Sequence, residues 1–152
     1  NLKDVEVVAV GVSLAALDIA RWNVEKQKLS DRITLMQSDL FEALQADAKF
    51  DVICSNPPYI SQSEYDSLPD TVRNHEPRGA LLAGQDGTEI ISRILADAPA
   101  HLFPGGRLVL EYSPMIADSC KAMAEGSGKW NDIKRIRDLA GHQRILSLGQ
   151  TA

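Results

Sequence analysis

Cysteine, aromatic side chains, basic charge and long apolar runs are all scarce in this sequence. Cys54 and Cys120 are its two cysteines. They lie far apart at no metal-ligand spacing, which excludes a disulfide scaffold or a cysteine zinc site and suits a reducing cytosol. Aromatic residues make up 5% of the chain, and 16 basic residues stand against 21 acidic ones, for a net charge of −5. Non-specific nucleic-acid binding needs the opposite balance, because phosphates are neutralised by lysine and arginine. No apolar run approaches the roughly 20 residues of a membrane-spanning helix, and no secretory signal opens the chain. A cytoplasmic protein without a membrane partner is therefore expected. Internal repeats and low-complexity segments are missing as well, which excludes a repeat architecture.

What is present is the composition of an ordinary globular protein, 44% hydrophobic and 24% charged over 152 residues. That length predicts one domain, residues 1–152, able to bury about two-thirds of its unfolded surface. Val5–Val10 reads as a strand. Ser13 is placed to cap a helix from Leu14 to about Lys28, with Ala16, Leu17, Ala20 and Val24 on one face. Ile33–Gln37 and Val52–Ser55 read as strands. Residues 56–85 hold many turn formers and few periodic apolar positions, which predicts a long functional loop. Asp86 and Glu89 have capping-box spacing ahead of Ile90, Ile91, Ile94, Leu95 and Ala98. Pro104-Gly105-Gly106 is expected to end that helical unit with a turn. A strand at Arg107–Tyr112, a helix from Met115 to about Glu125, and two strands at Ile133–Ile136 and Gln143–Leu148 complete the pattern. The alternation predicts an α/β layered fold with a largely parallel sheet and an antiparallel C-terminal strand pair.

Ligands of open parallel sheets bind beyond the carboxyl ends of the strands. Three segments fall there: Gly11–Ser13, Ser38-Asp39-Leu40-Phe41, and Asn56-Pro57-Pro58-Tyr59. The last is the most informative. Two prolines have no N–H and a fixed φ, so strand pairing stops at them. What remains is a stiff loop of carbonyl oxygens with an amide at one end and an aromatic ring at the other. It suits the grip of a planar –NH2 group, although Asn and Pro also make plain strand-ending turns. Asp39 could equally be a turn residue capping the Leu40–Leu44 segment, and Gly11 a permissive turn position. Cys54 is expected in the core, Trp22 and Trp130 as packing residues, and His101 and His142 at the surface.

Taken in order, Ser38-Asp39-Leu40-Phe41, Phe50-Asp51, Asn56-Pro57-Pro58-Tyr59-Ile60, Asn74-His75-Glu76-Pro77-Arg78, Asp86-Gly87, Pro104-Gly105-Gly106 and Leu110-Glu111 resemble the HemK/PrmC family. Its members are S-adenosylmethionine-dependent methyltransferases that modify the glutamine of the Gly-Gly-Gln motif in peptide-chain release factors. The Asn-Pro-Pro-Tyr tetrad is shared with enzymes that methylate amino groups of adenine or guanine. The His-Glu-Pro-Arg segment narrows the match to the protein-glutamine branch. The resemblance implies a Rossmann-like class I methyltransferase fold. It also implies that Asn56 and the Pro57 carbonyl accept hydrogen bonds from the substrate amide, with Pro58 stiffening the loop and Tyr59 packing on the planar group. Asp39, Leu40 and Asn56 would lie at the cofactor. The position of Gly11 would normally hold an acidic residue for the ribose hydroxyls, so here that contact is missing or supplied elsewhere.

The family's glycine-rich cofactor loop, the strand before it and the N-terminal helical domain are expected ahead of residue 1. That strand would be central, between Val5–Val10 and Val52–Ser55. Strands pair about 4.8 Å apart, so its absence would leave a slot of roughly 9.6 Å. Its unpaired backbone groups would each cost on the order of 1–3 kcal/mol if buried. A truncated chain is the expectation, with a strand from a partner as the alternative.

The residue types fit the chemistry. A carboxamide nitrogen is a poor nucleophile and too weak an acid for a side chain to deprotonate. It must be held by its two hydrogens, and an asparagine oxygen and a backbone carbonyl are acceptors for them. No metal and no acid–base dyad is called for. Three readings stay open from sequence. One is a glutamine methyltransferase that meets nucleic acid only indirectly, through a ribosome-associated substrate. The others are an amino-methyltransferase of nucleic acid and a non-catalytic binding module.

Overall fold

A computed structural model describes residues 4–151 as two compact units, Asn1–Ala46 and Asp47–Ala152.

The first unit is a β–α–β element. β1 (Val7–Gly11) pairs in parallel with β2 (Ile33–Gln37), Val7 opposite Ile33 and Gly11 opposite Gln37. Between them runs α1 (Leu14–Lys26), whose N-cap Ser13 accepts the Ala16 N–H at 3.3 Å. The helix stops two residues short of the predicted Lys28, which sits at φ 57° where the chain turns away. Leu17 is the buried member of the predicted helix face. Trp22 is exposed rather than packed, with Lys26 Nζ 4.5 Å over its ring. The apolar run of β1 predicts burial on both faces, as in covered parallel sheets. Val7, Val8 and Val10 are nevertheless about two-fifths exposed, at 41%, 39% and 40%. Among the described residues β1 pairs with β2 alone.

The second unit carries a four-stranded sheet in the order β3–β6–β8–β7. β3 (Phe50–Ser55) leads to a covering segment: β4 (Ile60–Ser61), α2 (Gln62–Asp66), α3 (Asp70–Arg73), α4 (Arg78–Leu81) and β5 (Leu82–Gly84). These are followed by α5 (Glu89–Asp97), β6 (Leu102–Glu111), α6 (Ala117–Ser127), β7 (Trp130–Arg137) and β8 (Gln143–Gln150). β3 lies parallel to β6, while β8 is antiparallel to both β6 and β7, as the pattern predicts. Like β1, β3 has a single partner strand among the described residues.

The core of this unit is fully formed. Ile91, Leu108, Leu110, Tyr112, Cys120, Leu146 and Leu148 have no exposed surface. Trp130 is buried and donates its indole N–H to the Leu95 carbonyl at 3.2 Å. Burial pushes the Cys120 thiol up to about 11 and raises the Tyr112 phenol, so neither ionises near neutrality.

Four expectations are corrected here. The 56–85 segment is not one long loop, because its short periodic pieces form three helices and a two-stranded parallel pair. Pro104-Gly105-Gly106 does not end a unit. It is a bulge inside β6, where the register steps from Phe50 opposite Leu102 to Val52 opposite Arg107. A Cβ on Gly106 would sit 2.8 Å from the Phe103 carbonyl oxygen and 3.2 Å from that of Asp51, which explains the glycine. His101 is buried, its Nδ1 3.0 Å from the Ala48 carbonyl oxygen. Cys54 is exposed, on a strand whose second edge has no partner among the described residues.

Candidate active site

In the first unit the strands end in a built loop. Ser38, directly after β2, donates its N–H to the Gly11 carbonyl at 3.1 Å, so the ends of β1 and β2 are tied together. Gln37 Nε2 reaches the Val12 carbonyl at 3.2 Å. The Ser38 hydroxyl is buried and used twice: it donates to the Leu40 carbonyl at 3.0 Å and accepts the Ala43 N–H at 3.0 Å. Those bonds fold the chain back at Leu40, which adopts φ 50°, a conformation that costs a non-glycine residue about 1 kcal/mol or more. Beside this turn lies an open cavity of about 390 Å³, lined by Val12, Gln37, Ser38, Asp39, Glu42 and Ala43. That volume lies in the range of small-molecule sites, about 300–1,000 Å³.

Of the predicted cofactor residues, Asp39 lines the cavity, and Leu40 forms the turn that holds it. Gly11 lies at the end of β1, where an added Cβ would meet nothing nearer than Leu17 Cδ2 at 4.0 Å. Steric need therefore does not explain the missing acidic side chain. The sequence gives no sign of a site role for Gln37 or Glu42, and it marks Ser38 only as the first residue of the strand-end segment Ser38-Asp39-Leu40-Phe41.

In the second unit Asn56 follows β3 at its carboxyl end, where Ser55 stands opposite Leu110. Its side chain is exposed and takes no hydrogen bond among the described residues. Pro57 is buried and Pro58 and Tyr59 are half-buried, so the loop is anchored by its rings and presents its amide outward. The chain then enters β4, where Ser61 and Glu64 form a capping box at the start of α2. The His75–Arg78 segment stays exposed. Arg78 lies over the Tyr65 ring at 5.4 Å and donates to Gln62 Oε1 at 3.3 Å. Glu111 ends β6 half-buried, opposite Ile145.

The profile of the Methyltransferase small domain matches residues 1–73. A release factor glutamine methyltransferase of Rhodopirellula baltica is 63% identical over 148 residues, 97% of this chain and 50% of that protein. Over nearly its whole length this chain is similar to release factor glutamine methyltransferases. A ribosomal protein uL3 glutamine methyltransferase of Bordetella pertussis is 51% identical over 106 residues, covering 70% of the chain and 35% of that relative. The chain spans about half the length of these curated release factor relatives. A T. thermophilus 16S rRNA N2 G1207 methyltransferase, solved with AdoMet and guanosine, superposes with a TM-score of 0.67 at 23% identity. It covers 96% of this chain and 32% of that one. The fold is that of the class I methyltransferases, with antiparallel strands closing a mostly parallel arrangement.

Proposed function

We propose that this chain is the catalytic part of an S-adenosylmethionine-dependent methyltransferase that modifies the side-chain nitrogen of a glutamine in the Gly-Gly-Gln motif of a release factor. The observation that carries this reading is Asn56: exposed, unengaged, at the carboxyl end of β3, and followed by an anchored Pro-Pro-Tyr. The names of the Rhodopirellula and Bordetella relatives both specify glutamine, which favours a protein amide over a nucleobase. No helix among the described residues is long and apolar enough to cross a membrane. We place the protein in the cytoplasm, where its substrate is made.

The first unit fits a nucleoside cofactor. Its cavity combines apolar Val12 and Ala43 with the polar Gln37 and the acidic Asp39 and Glu42, a donor set suited to hydroxyls and positive charge. Asp39 and Glu42 would hold the cofactor, with Leu40 against its flat end. When bound, S-adenosylmethionine supplies a methyl group on a sulfonium, electrophilic without any metal.

The chain's own residues then do three things. Asn56 Oδ1 and the Pro57 carbonyl accept the two hydrogens of the substrate –NH2, which aims the nitrogen lone pair outward. The prolines and the packed Tyr59 hold those oxygens in place beforehand, so little ordering is left for the moment of binding. Positive charge grows on the nitrogen during transfer, so the same acceptors bind the transition state better than the ground state. The surplus proton leaves to water, and no side chain needs a shifted pKa.

Replacing Asn56 with alanine removes one acceptor and should cut methyl incorporation into release factor by about a hundredfold or more. The unfolding midpoint should stay put, because the side chain is exposed. Turnover near that of the parent in Asn56→Ala would rule the mechanism out. Asn56→Asp keeps an acceptor but adds charge, and a large loss is expected there too. A second reading rests on the Bordetella relative: the same chemistry on a glutamine of ribosomal protein uL3. Labelled cofactor offered with release factor, uL3 and RNA in parallel separates the three substrates.

A further inference from the structure

The turn at residues 85–88 has no part in the chemistry above, yet it sits directly on the backbone that carries the acceptor loop. β5 pairs with β4, Ile60 opposite Leu82 and Ser61 opposite Gly84, and the Gln62 N–H reaches the Gln85 carbonyl at 3.4 Å. Gly87 is buried and holds φ 82°. A Cβ there would lie 2.7 Å from the Tyr59 carbonyl oxygen and 3.2 Å from the Ser61 nitrogen. The turn therefore lies flush on Tyr59–Ser61, the residues immediately beyond Asn56-Pro57-Pro58.

Glu89 shapes that turn. Its Oε1 accepts the Asp86 N–H at 2.8 Å. Burial by itself would raise the Glu89 pKa, but the N–H groups of Asp86, Glu89, Gln85 and Gly87 outweigh it and leave the carboxyl below its ordinary range. A Cβ on Gly84 would overlap this carboxylate, which explains a second glycine. From the other side Glu64 Oε2 accepts both the N–H and the hydroxyl of Ser61, at 2.9 and 2.7 Å. Glu64 thus holds Ser61 of β4 directly, while Glu89 shapes the turn that follows its partner strand β5.

We infer that Gly87 and Glu89 are positioning residues for methyl transfer: their turn clamps the Tyr59–Ser61 backbone and so sets the direction in which Asn56 and the Pro57 carbonyl present their oxygens. The inference rests on the function proposed above. It separates from a purely structural role because a misaimed acceptor lowers kcat while leaving the fold and the cofactor site alone.

The test uses the full chain with Gly87→Ala, Glu89→Ala and Glu89→Gln. It reads kcat and KM with release factor, cofactor affinity by calorimetry, and amide exchange at residues 60–62 and 91–95. Gly87→Ala and Glu89→Ala should lower kcat by about tenfold to a hundredfold, because small misplacements of reacting groups act at that scale. Amides 60–62 should exchange faster, those of 91–95 should not, and cofactor affinity should hold. Glu89→Gln keeps an oxygen for the Asp86 N–H and should recover part of the loss. Parental kcat despite faster exchange at 60–62 would overturn the inference. So would unchanged exchange at 60–62, or loss of protection at 91–95 in step, which would make the role one of helix stability. If Gly87→Ala does not fold, the two Glu89 variants decide. If the parent itself methylates no glutamine substrate, the proposed function fails, and exchange at 60–62 alone decides whether the clamp exists.

Discussion

The two units are written in similar apolar residues but bury them differently. In the Asp47–Ala152 unit, Leu108 and Leu110 of β6 and Leu146 and Leu148 of β8 are fully covered, and α5 and α6 supply Ile91 and Cys120 to the same core. In the Asn1–Ala46 unit, Val7, Val8 and Val10 of β1 keep about two-fifths of their surface, and Leu17 is the one buried apolar side chain among its described residues. An apolar strand run records a capacity to be covered on both faces; what covers it is decided by the layers around it. The difference teaches that β6 and β8 form a filled core, whereas the turn beside the first unit's cavity depends on a few local hydrogen bonds.

That comparison can be broken from either side. The largest effect is expected in the second unit. Leu108→Ala opens a cavity in a filled core and should cost about 2–5 kcal/mol. Val8→Ala in the first unit should cost about 1 kcal/mol or less, because the side chain is already partly in water. Denaturant unfolding of both variants checks this, and comparable losses would mean that β1 is covered in solution.

A middle effect is expected at Ser38. Ser38→Ala leaves the Leu40 carbonyl and the Ala43 N–H without their partner and should cost about 1–2 kcal/mol. Cofactor affinity by calorimetry should fall with it, since these bonds shape the cavity wall. Unchanged affinity would detach the turn from the site.

The smallest effect sharpens the clamp. The folded pKa of Glu89 is lowered, so its contribution to stability is complete above the ordinary carboxylate range and is lost as pH falls through the lowered folded value. The stability gap between the parent and Glu89→Gln should therefore be present at neutral pH and shrink in acid, below the ordinary carboxylate range. Urea unfolding at neutral and acid pH measures it, and a gap that widens in acid would refute the assignment.

Much of the fold was legible because its signals are local. Ser13 capped the helix it was expected to cap, the Ile33–Gln37 strand has its predicted bounds, and the closing strand pair formed where alternation placed it. The misses have physical causes. Residues 56–85 lack long periodicity because their helices last four or five residues and are held by β4–β5 pairing and capping rather than by an amphipathic face. The Asp86–Glu89 spacing was real, but Thr88 occupies the N-cap, and the Glu89 carboxylate serves the turn before it. His101 was placed at the surface because a histidine at an element end usually finds water; here a backbone carbonyl 53 residues away in the chain holds it inside.

By itself the sequence determined the order of strands and helices, the resemblance to known methyltransferases, and the Asn-Pro-Pro-Tyr loop. These follow from short-range backbone preferences and from side chains whose chemistry is intrinsic. The tertiary structure alone decided which face of each strand meets solvent. It also revealed that Ser38 is a buried hinge, and that Gly87 must lack a side chain because the Tyr59 carbonyl lies against it. Such facts depend on contacts between distant segments, where the nearest atom rather than the nearest residue sets the energy.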